Sequence, residues 1–204
     1  MDHVSSAGPG RPLDRSIDER VLATTASHLA RHGYEAMSLV AIAHEADTTR
    51  QALYRRWPSK AELATAAIEA LARAEQRPST DDPYADLVDE LKSFQRGISR
   101  PDGLSMVGTM LNRATDPELV QLYRRRVVAP RRAALLRILQ RAHADGLLAP
   151  DADIELAVTM LTGSWYARAL AGDPPPRRWA ERTAAVTWRG LGGQHPPPAP
   201  RRHR

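Results

Sequence analysis

Residues 38–60 of this 204-residue chain read SLVAIAHEADTTRQALYRRWPSK, and their pattern predicts a helix, a tight turn and a second helix. Ser38 opens the stretch and is a favoured helix N-cap. Asp47 is expected to end the first helix, because Asp tolerates the left-handed conformation of a tight turn. Between them, apolar residues follow the i, i+3, i+4, i+7 spacing of one helix face, at Leu39, Ile42, Ala43 and Ala46.

The second helix is expected to start at a cap formed by Thr48 or Thr49 and to end by Trp57, because the residue before Pro58 is biased away from helical geometry. Arg pairs with guanine, Gln pairs with adenine, and hydroxyls bond phosphate oxygens. Residues of these types make up the predicted outward face, at Thr49, Arg50, Gln51, Tyr54, Arg55 and Arg56. This face therefore predicts contact with DNA.

A third helix is expected to follow directly. Ser59, Lys60 and Glu62 have the spacing of a capping box, in which the first and last side chains satisfy each other's backbone N–H groups. Lys60 then lies at a positively polarised helix end, which suits a phosphate.

The pattern over residues 14–71 resembles the DNA-binding domain of the tetracycline-repressor (TetR) family of bacterial transcription regulators. The family pattern is a capped helix with an inward Ile-Ala pair, a turn, a recognition helix ending in Leu-Tyr, an aromatic residue and a Lys. Here those places are held by Ser38, Ile42-Ala43, Asp47, Leu53-Tyr54, Trp57 and Lys60. The chain departs from the family pattern at Asp47, where Gly is usual, and at Thr48, where a small apolar residue is usual.

The resemblance implies an all-α fold, with an N-terminal three-helix helix-turn-helix domain joined to a larger helical-bundle domain for ligand binding and dimerisation. We expect Arg50 and Gln51 to read base edges. The remaining contacts, to phosphates, are expected from Ser38, Thr49, Tyr54, Arg56 and Lys60.

Composition and helix-breaking residues divide the chain into four parts. Residues 1–13 are expected to be a flexible arm, in which Gly10-Arg11-Pro12 has a short match to an AT-hook but an untethered tail is favoured. Residues 14–60 form the helix-turn-helix domain, and residues 61–192 the ligand-binding and dimerisation domain, whose first helix links the two. Residues 193–204 are expected to be a disordered tail.

Start and stop signals predict the other helices. Ser16 and Glu19 have capping-box spacing at the start of the first helix, which Gly33 is expected to end. Asp82-Pro83 and Asp116-Pro117 predict two further starts, and Pro130 is expected to kink or interrupt the long segment that follows the second. No alternating apolar pattern is present, so no strands are expected.

The last two predicted helices, 153–170 and about 177–191, are rich in apolar and small residues. A helix that is apolar nearly all round is buried on more than one side. In the final helix one stripe is expected to include Trp179, Thr183, Val186 and Gly190. These helices correspond to the dimer face of the family, which favours a homodimer over a merely completed monomeric core.

The resemblance also implies a small-molecule effector that binds between helices of the second domain. The candidate pocket residues are the aromatic, Met and Leu side chains Phe94, Met106, Met110, Tyr123, Leu161, Trp165 and Tyr166. The alternative for each residue is ordinary core, since aromatic and Met residues fill cores first. The sequence does not name the effector.

Composition excludes several other classes of protein. The chain has no Cys, so disulfides and thiolate metal sites are excluded and a cytoplasmic location is expected, and no apolar run has the length of a membrane span. His28 and His32 have an i, i+4 spacing that suits a metal, but they lack a third ligand and are expected to be exposed. No cofactor or metal is expected.

Charge favours a polyanionic partner, since the net charge is +5 with 29 Lys and Arg residues. The Arg runs 124–126 and 131–132 are nevertheless expected to be a solvated helix face. Catalytic motifs such as a nucleophile elbow or a phosphate loop are absent, which disfavours an enzyme. The remaining alternatives are a sequence-tolerant DNA-packaging protein, or a helical carrier or enzyme whose helix-turn-helix is only structural. The favoured partners are palindromic double-stranded DNA, a second copy of the chain and a small-molecule effector.

Overall fold

A computed structural model describes residues 15–74, 78–100, 103–112, 115–174 and 176–194. All regular structure in these residues is helical, which confirms the all-α prediction. The helices are α1 (Arg15–Ala36), α2 (Leu39–Glu45), α3 (Arg50–Arg56), α4 (Lys60–Arg73), α5 (Pro83–Ile98), α6 (Gly103–Leu111), α7 (Pro117–Tyr123), a π-helical segment (Arg124–Val128), α8 (Ala129–Ala144), α9 (Ile154–Leu170) and α10 (Trp179–Gly190). The arm 1–13 and residues 195–204 of the tail lie outside the described residues.

Local caps set the starts of α2, α3 and α4 as the sequence predicts. The side chains of Ser38, Thr49 and Ser59 each accept a hydrogen bond from the backbone N–H three residues ahead. Asp47 has a positive φ of 57°, so it takes the left-handed conformation that the tight turn requires. The helix-turn-helix geometry of residues 38–60 is therefore determined by residues within that stretch.

The predicted cap of α1 is wrong. Ser16 lies inside α1, which begins at Arg15, and its hydroxyl accepts a hydrogen bond from the Arg20 guanidinium at 3.3 Å. Gly33 does interrupt the helix, with φ 72° and ψ 175°, but helical structure resumes to Ala36. The break changes the direction of the chain just before α2 begins.

Two hydrophobic cores organise the described residues. The N-terminal core unites α1 to α4, with Val21, Leu29, Ile42 and Leu53 almost fully buried. It also takes in Leu119 and Leu122 of α7. Side chains from beyond residue 61 therefore complete the core under the helix-turn-helix, because α7 packs directly on α4.

The C-terminal core lies among α5, α8, α9 and α10. Its aromatic centre is formed by Phe94, Trp165 and Trp179, and the rings of Trp165 and Trp179 meet edge to face at 5.0 Å. This arrangement is favourable for aromatic quadrupoles. Leu87, Leu91, Leu135, Leu139 and Leu161 fill the space around the rings.

The long segment after Asp116 is interrupted as Pro130 predicts. Residues Arg124–Val128 are π-helical, and the N–H of Ala129 bonds to the carbonyl of Arg124, five residues back. Pro130 then occupies the first turn of α8, directly after the π-helical segment. The interruption lies between α7, which packs on the N-terminal core, and α8, which belongs to the C-terminal core.

The stripe predicted along the last helix is not its buried face. Trp179 is 2% exposed and belongs to the C-terminal core, whereas Val186 is 62% exposed. The buried face runs instead through Trp179, Ala180, Ala184 and Trp188. Within the described part of the chain, no helix is both long enough and apolar enough to cross a membrane.

Candidate nucleic-acid interface and interior cavity

Helix α3 presents a polar face to solvent. Thr49 caps its start, and Leu53, which is 2% exposed, anchors its inner side in the N-terminal core. The side chains left exposed on the helix are those of Arg50, Gln51, Tyr54 and Arg55. This placement agrees with the predicted outward face for these four residues.

Arg50 and Tyr54 are already paired on this face. The Arg50 guanidinium donates a hydrogen bond to the Tyr54 hydroxyl at 3.2 Å, and its carbon lies 5.3 Å from the centre of the Tyr54 ring. A guanidinium has five N–H donors, so this contact orients Arg50 and still leaves donors for a base edge or a phosphate. The pair therefore limits the conformations available to Arg50.

Arg56 does not lie on the outward face, so that part of the prediction is wrong. Its side chain is 11% exposed, and its Nε lies 2.6 Å from an Asp18 oxygen on α1. The ion pair braces α3 against α1. This partner cannot be identified from the sequence, because Asp18 is distant along the chain and reaches Arg56 only through the packing of α1.

Lys60 is also held by the protein. Its Nζ donates a hydrogen bond to the backbone carbonyl of Glu35 at 2.8 Å and lies 4.9 Å from the centre of the Tyr34 ring. These contacts fasten the start of α4 to the end of α1. Ser38 and Thr49 use their hydroxyl oxygens for capping and remain exposed, so each hydroxyl hydrogen can still be donated.

His28 is buried, contrary to the expectation of two exposed histidines. It is 4% exposed, and its Nε2 lies 3.0 Å from an Oε of Glu45 at the end of α2. The hydrogen bond with His28 lowers the pKa of Glu45. His32 is exposed, and the described residues contain no cluster of three or more metal-ligating side chains.

Three long-range polar contacts join the N-terminal helices to α7 and the π-helical segment. Tyr34 donates to Asp116 at 3.0 Å, and Ser59 donates to Glu118 at 3.0 Å. Burial and the contact with Asp116 raise the pKa of Tyr34, which keeps its hydroxyl protonated as a donor. The third contact is a two-point pairing of the Arg126 guanidinium with the Glu62 carboxylate.

The Arg126 pairing has distances of 2.6 and 3.1 Å. Glu62 is thereby turned away from Ser59, so the expected capping box at α4 has only its Ser59 half. The prediction of a solvated face is wrong for Arg126 and for Arg131, which is 20% exposed. Both arginines contact other helices, and their positions in the sequence do not indicate these contacts.

A cavity of about 210 Å³ lies next to the π-helical segment. Its walls come from helices α4 to α9 and from the π-helical segment. Val128 and Arg132 line it and are nearly half exposed, so the cavity opens to solvent beside them. The lining is largely apolar, and it includes the arginines Arg100, Arg131 and Arg132.

Three predicted pocket residues, Phe94, Tyr123 and Tyr166, line this cavity. Leu161 and Trp165 belong to the C-terminal core instead, and Met110 packs against the N-terminal core. The side chain of Met106 lies outside the described residues. The aliphatic wall residues were not predicted, because a Leu or Val that lines a cavity has the same local sequence pattern as one in a core. They are Ile68, Leu71, Ile98, Val127, Val128, Leu135 and Val158.

Helices α9 and α10 expose apolar side chains on their outer surfaces. Leu156 and Met160 of α9 are 55% and 57% exposed, and Val186 of α10 is 62% exposed. Single exposed apolar residues are ordinary, but their grouping on these two helices indicates a surface suited to a partner.

Comparison with known proteins gives two family matches. Residues 21–67 match a model described as bacterial regulatory proteins, tetR family, and residues 77–187 match one described as tetracyclin repressor-like, C-terminal domain. An uncharacterized HTH-type transcriptional regulator of Mycobacterium tuberculosis is 30% identical over 174 residues, which cover 81% of this chain and 84% of the relative. The uncharacterized HTH-type regulator YdeS of Bacillus subtilis is 25% identical over 164 residues, covering 79% and 82%.

Solved structures with the same arrangement of helices include two regulators. The crystal structure of the TetR family transcription regulator SCO0332 has a TM-score of 0.68 and 27% identity, covering 86% of this chain and 98% of that one. A putative TetR-family transcriptional regulator from Rhodococcus sp. has a TM-score of 0.68 at 15% identity, covering 88% and 98%.

Proposed function

We propose, from the premise that this chain belongs to the tetracycline-repressor (TetR) family of DNA-binding transcriptional regulators, that it represses transcription from a palindromic operator and leaves that operator when a small molecule binds. The observation that carries the proposal is the exposed face of α3. Arg50, Gln51, Tyr54 and Arg55 lie there on a helix fixed from behind by Leu53 and the Arg56–Asp18 pair.

In this proposal α3 enters the major groove. Arg50 and Gln51 read base edges, and Ser38, Thr49, Tyr54 and Lys60 contact phosphates, with Arg55 as an additional exposed cation. Arg56 acts indirectly, by holding α3 against α1 through Asp18. The ammonium of Lys60 donates one of its three hydrogens to Glu35, so it is held in position and still has donors for a phosphate.

The proposed assembly is a homodimer formed through α9 and α10. The exposed Leu156, Met160 and Val186 support this assembly, because a two-fold dimer would remove them from water on both copies at once. A single recognition helix reads only a few base pairs, whereas two related by two-fold symmetry read a palindrome. The operator is therefore expected to have two inverted half-sites.

The proposed effector site is the cavity beside the π-helical segment. Tyr123, Val127 and Val128 line the cavity, and Arg126 of the same segment pairs with Glu62 at the start of α4. A ligand that displaces this segment would therefore act on α4 and, through the N-terminal core, on α3. By linkage, operator DNA must weaken effector binding by the same factor as the effector weakens DNA binding.

The alternatives from the sequence find no support in the relatives reported above, all of which are regulators. A DNA-packaging protein would also have no use for the cavity. A carrier or enzyme would have no use for the exposed cations of α3.

The experiment that tests the proposal selects bound sequences from random duplex DNA at near-physiological salt, with Tyr54→Ala as the matched variant. Tyr54 orients Arg50 on an exposed surface, so its loss should remove selection and leave the fold intact. Recovery of a palindrome by the natural chain alone is expected. Recovery of unselected DNA with a steep salt dependence would instead favour the packaging protein.

A further inference from the structure

Arg131 is a cation in the cavity whose hydrogen-bonding capacity is unused by the described residues. It lies on α8, and its guanidinium carbon is 5.5 Å from the centre of the Phe94 ring. Among the described residues it donates no hydrogen bond, and its ion pair with Glu90 is 3.9 Å long, near the outer limit for such a pair. The five N–H donors of its guanidinium are therefore left for another acceptor.

Glu90 neutralises Arg131 only weakly. Burial raises the pKa of Glu90 above its usual value, although the charges of Arg131 and Arg137 act in the opposite direction. A strong Arg–carboxylate pair is bidentate with N–O distances of about 2.7–2.9 Å. The long contact between Arg131 and Glu90 has neither property, so a better-placed carboxylate can bind the guanidinium.

The neighbouring arginines Arg126 and Arg132, unlike Arg131, donate hydrogen bonds to acceptors of the protein. Arg132 donates to Glu155 at 2.8 Å and to Thr159 at 3.0 Å, and Arg126 pairs with Glu62 at two points. Their donors are directed at protein acceptors. Arg131 and Arg132 are adjacent, yet only Arg132 donates hydrogen bonds to described acceptors of the protein. This contrast indicates that Arg131 is placed to bind an acceptor that the chain itself does not supply.

The rest of the lining suits a compact apolar body. Phe94 and Tyr166 contact each other edge to face at 5.8 Å, and Leu135 and Val158 add aliphatic surface. Burial raises the pKa of Tyr166, so its hydroxyl remains a donor. The volume of about 210 Å³ is below the ~300 Å³ at which pockets for drug-sized ligands begin, which restricts the ligand to a small molecule.

We infer that the cavity binds a compact monocarboxylate, whose carboxylate is held by Arg131 and whose apolar body packs against Phe94 and Tyr166. The inference rests on the proposed function, because it takes this cavity as the effector site. A phosphate dianion fits less well than a monocarboxylate, because it would bring more charge of the same sign close to Glu90.

The test is calorimetric titration of the full chain with two matched pairs of probes, benzoate with benzamide and hexanoate with hexanamide. Within each pair only the charge and the acceptor geometry change. At least one acid is expected to bind about tenfold more tightly than its amide, in line with a charge-assisted hydrogen bond. Arg131→Met should remove that preference, and Arg131→Lys should keep part of it, because Lys is a point charge without the guanidinium fork.

Arg125→Met is the matched control, because Arg125 is exposed, lies in the π-helical segment just before α8 and does not line the cavity. It should retain the preference for the acid. Thermal melting of all variants shows whether each is folded. If Arg131→Met does not fold, the reduced preference for the acid in Arg131→Lys still tests the role of the guanidinium.

Three outcomes would overturn the inference: equal binding of acid and amide, an unchanged preference without the Arg131 charge, or no binding of any acid at about 10 mM, beyond the weak millimolar range. The operator selection is independent of this titration. A recovered palindrome with no acid binding refutes the ligand class alone, whereas acid binding without a palindrome refutes the regulatory function and leaves a carboxylate-binding protein.

Discussion

The helix-turn-helix and the cavity differ in the sequence separation of the residues whose polar contacts stabilise them. In residues 38–60 the polar contacts that shape the backbone span three residues each, from Ser38 to Ala41, Thr49 to Ala52 and Ser59 to the N–H of Glu62. Between the helices that form the cavity walls, the polar contacts include pairs 55 and 64 positions apart, namely Arg141 with Asp86 and Arg126 with Glu62. Substitutions on the exposed face of α3 should therefore change DNA binding with little effect on stability, whereas substitutions around the cavity should change the stability of the fold.

The largest loss of stability is expected from a substitution in the cavity wall. Leu135 is 1% exposed and lies between the cavity and the C-terminal core, so Leu135→Ala should lower the free energy of unfolding by about 2–5 kcal/mol. Urea unfolding measures the change. Leu147→Ala is the control, because Leu147 is 44% exposed, and a similar loss for both variants would contradict the assigned packing.

A smaller but pH-dependent effect is expected at Asp86. Burial acts to raise the pKa of Asp86, but hydrogen bonds from Ser79, Arg141 and Thr80 outweigh it and hold the pKa below the ordinary 3.8. Because the folded-state pKa is lowered, the stabilisation is present above the unfolded pKa and is lost as the pH falls through the folded value. Asp86→Asn should therefore cost about 1–3 kcal/mol near pH 7, where it weakens bonds to buried donors.

The measurement for Asp86 is urea unfolding from pH 7 down to below the ordinary carboxyl pKa. The difference between the natural chain and Asp86→Asn should shrink as the pH falls. Asp151→Asn, at an exposed position, should show no such difference. A difference that is constant with pH would mean that the ionised form of Asp86 is not what stabilises the fold.

On the exposed face of α3, a substitution is expected to weaken DNA binding and to leave the stability of the fold almost unchanged. Arg50→Ala should cost about 1–3 kcal/mol of binding to the selected operator and relax specificity at one base position, while unfolding changes by less than about 0.5 kcal/mol. Arg124→Ala removes the same charge from another exposed site and should leave specificity unchanged. Equal loss by Arg50→Ala on operator and random DNA would show that Arg50 contacts only the backbone of the duplex.

The Arg126–Glu62 pair joins the two regions, so its energy measures how strongly they are connected. A double-mutant cycle with Arg126→Met and Glu62→Gln should give a coupling of about 1 kcal/mol, since both side chains are partly exposed. Additive effects would indicate that the two regions are joined through α7 alone, by its apolar packing and its hydrogen bonds with Tyr34 and Ser59. In that case the π-helical segment would have no polar connection to α4 that affects stability.

The smallest effect is expected at the turn. Asp47 has a φ of 57°, so Asp47→Gly should stabilise the chain by about 0.5 kcal/mol through relief of backbone strain, and Asp47→Ala should destabilise it by about 1 kcal/mol. Thermal unfolding of the three chains gives the order. Destabilisation by Gly would mean that the Asp47 side chain contributes more to the turn than its backbone strain removes.

Much of the interface was predictable because its determinants are local. A cap at Thr48 or Thr49, Asp47 as the turn residue and the exposure of Arg50, Gln51 and Tyr54 follow from residue types and helical spacing, and the structure selects Thr49. Arg56 has the same local pattern as Arg55, yet only Arg55 is exposed. The difference comes from Asp18, which the packing of α1 brings to Arg56.

The sequence by itself determined the all-α class, the positions of most helix starts, the turn at Asp47 and the interruption before Pro130, since caps, left-handed turns and proline act over a few neighbouring residues. Tertiary structure alone decided the burial of His28 against Glu45, the inclusion of α7 in the N-terminal core, and the cavity with its Arg131. These features depend on which helix faces meet. Many faces of similar apolar pattern can pair in principle, so no local pattern specifies the pairing that forms.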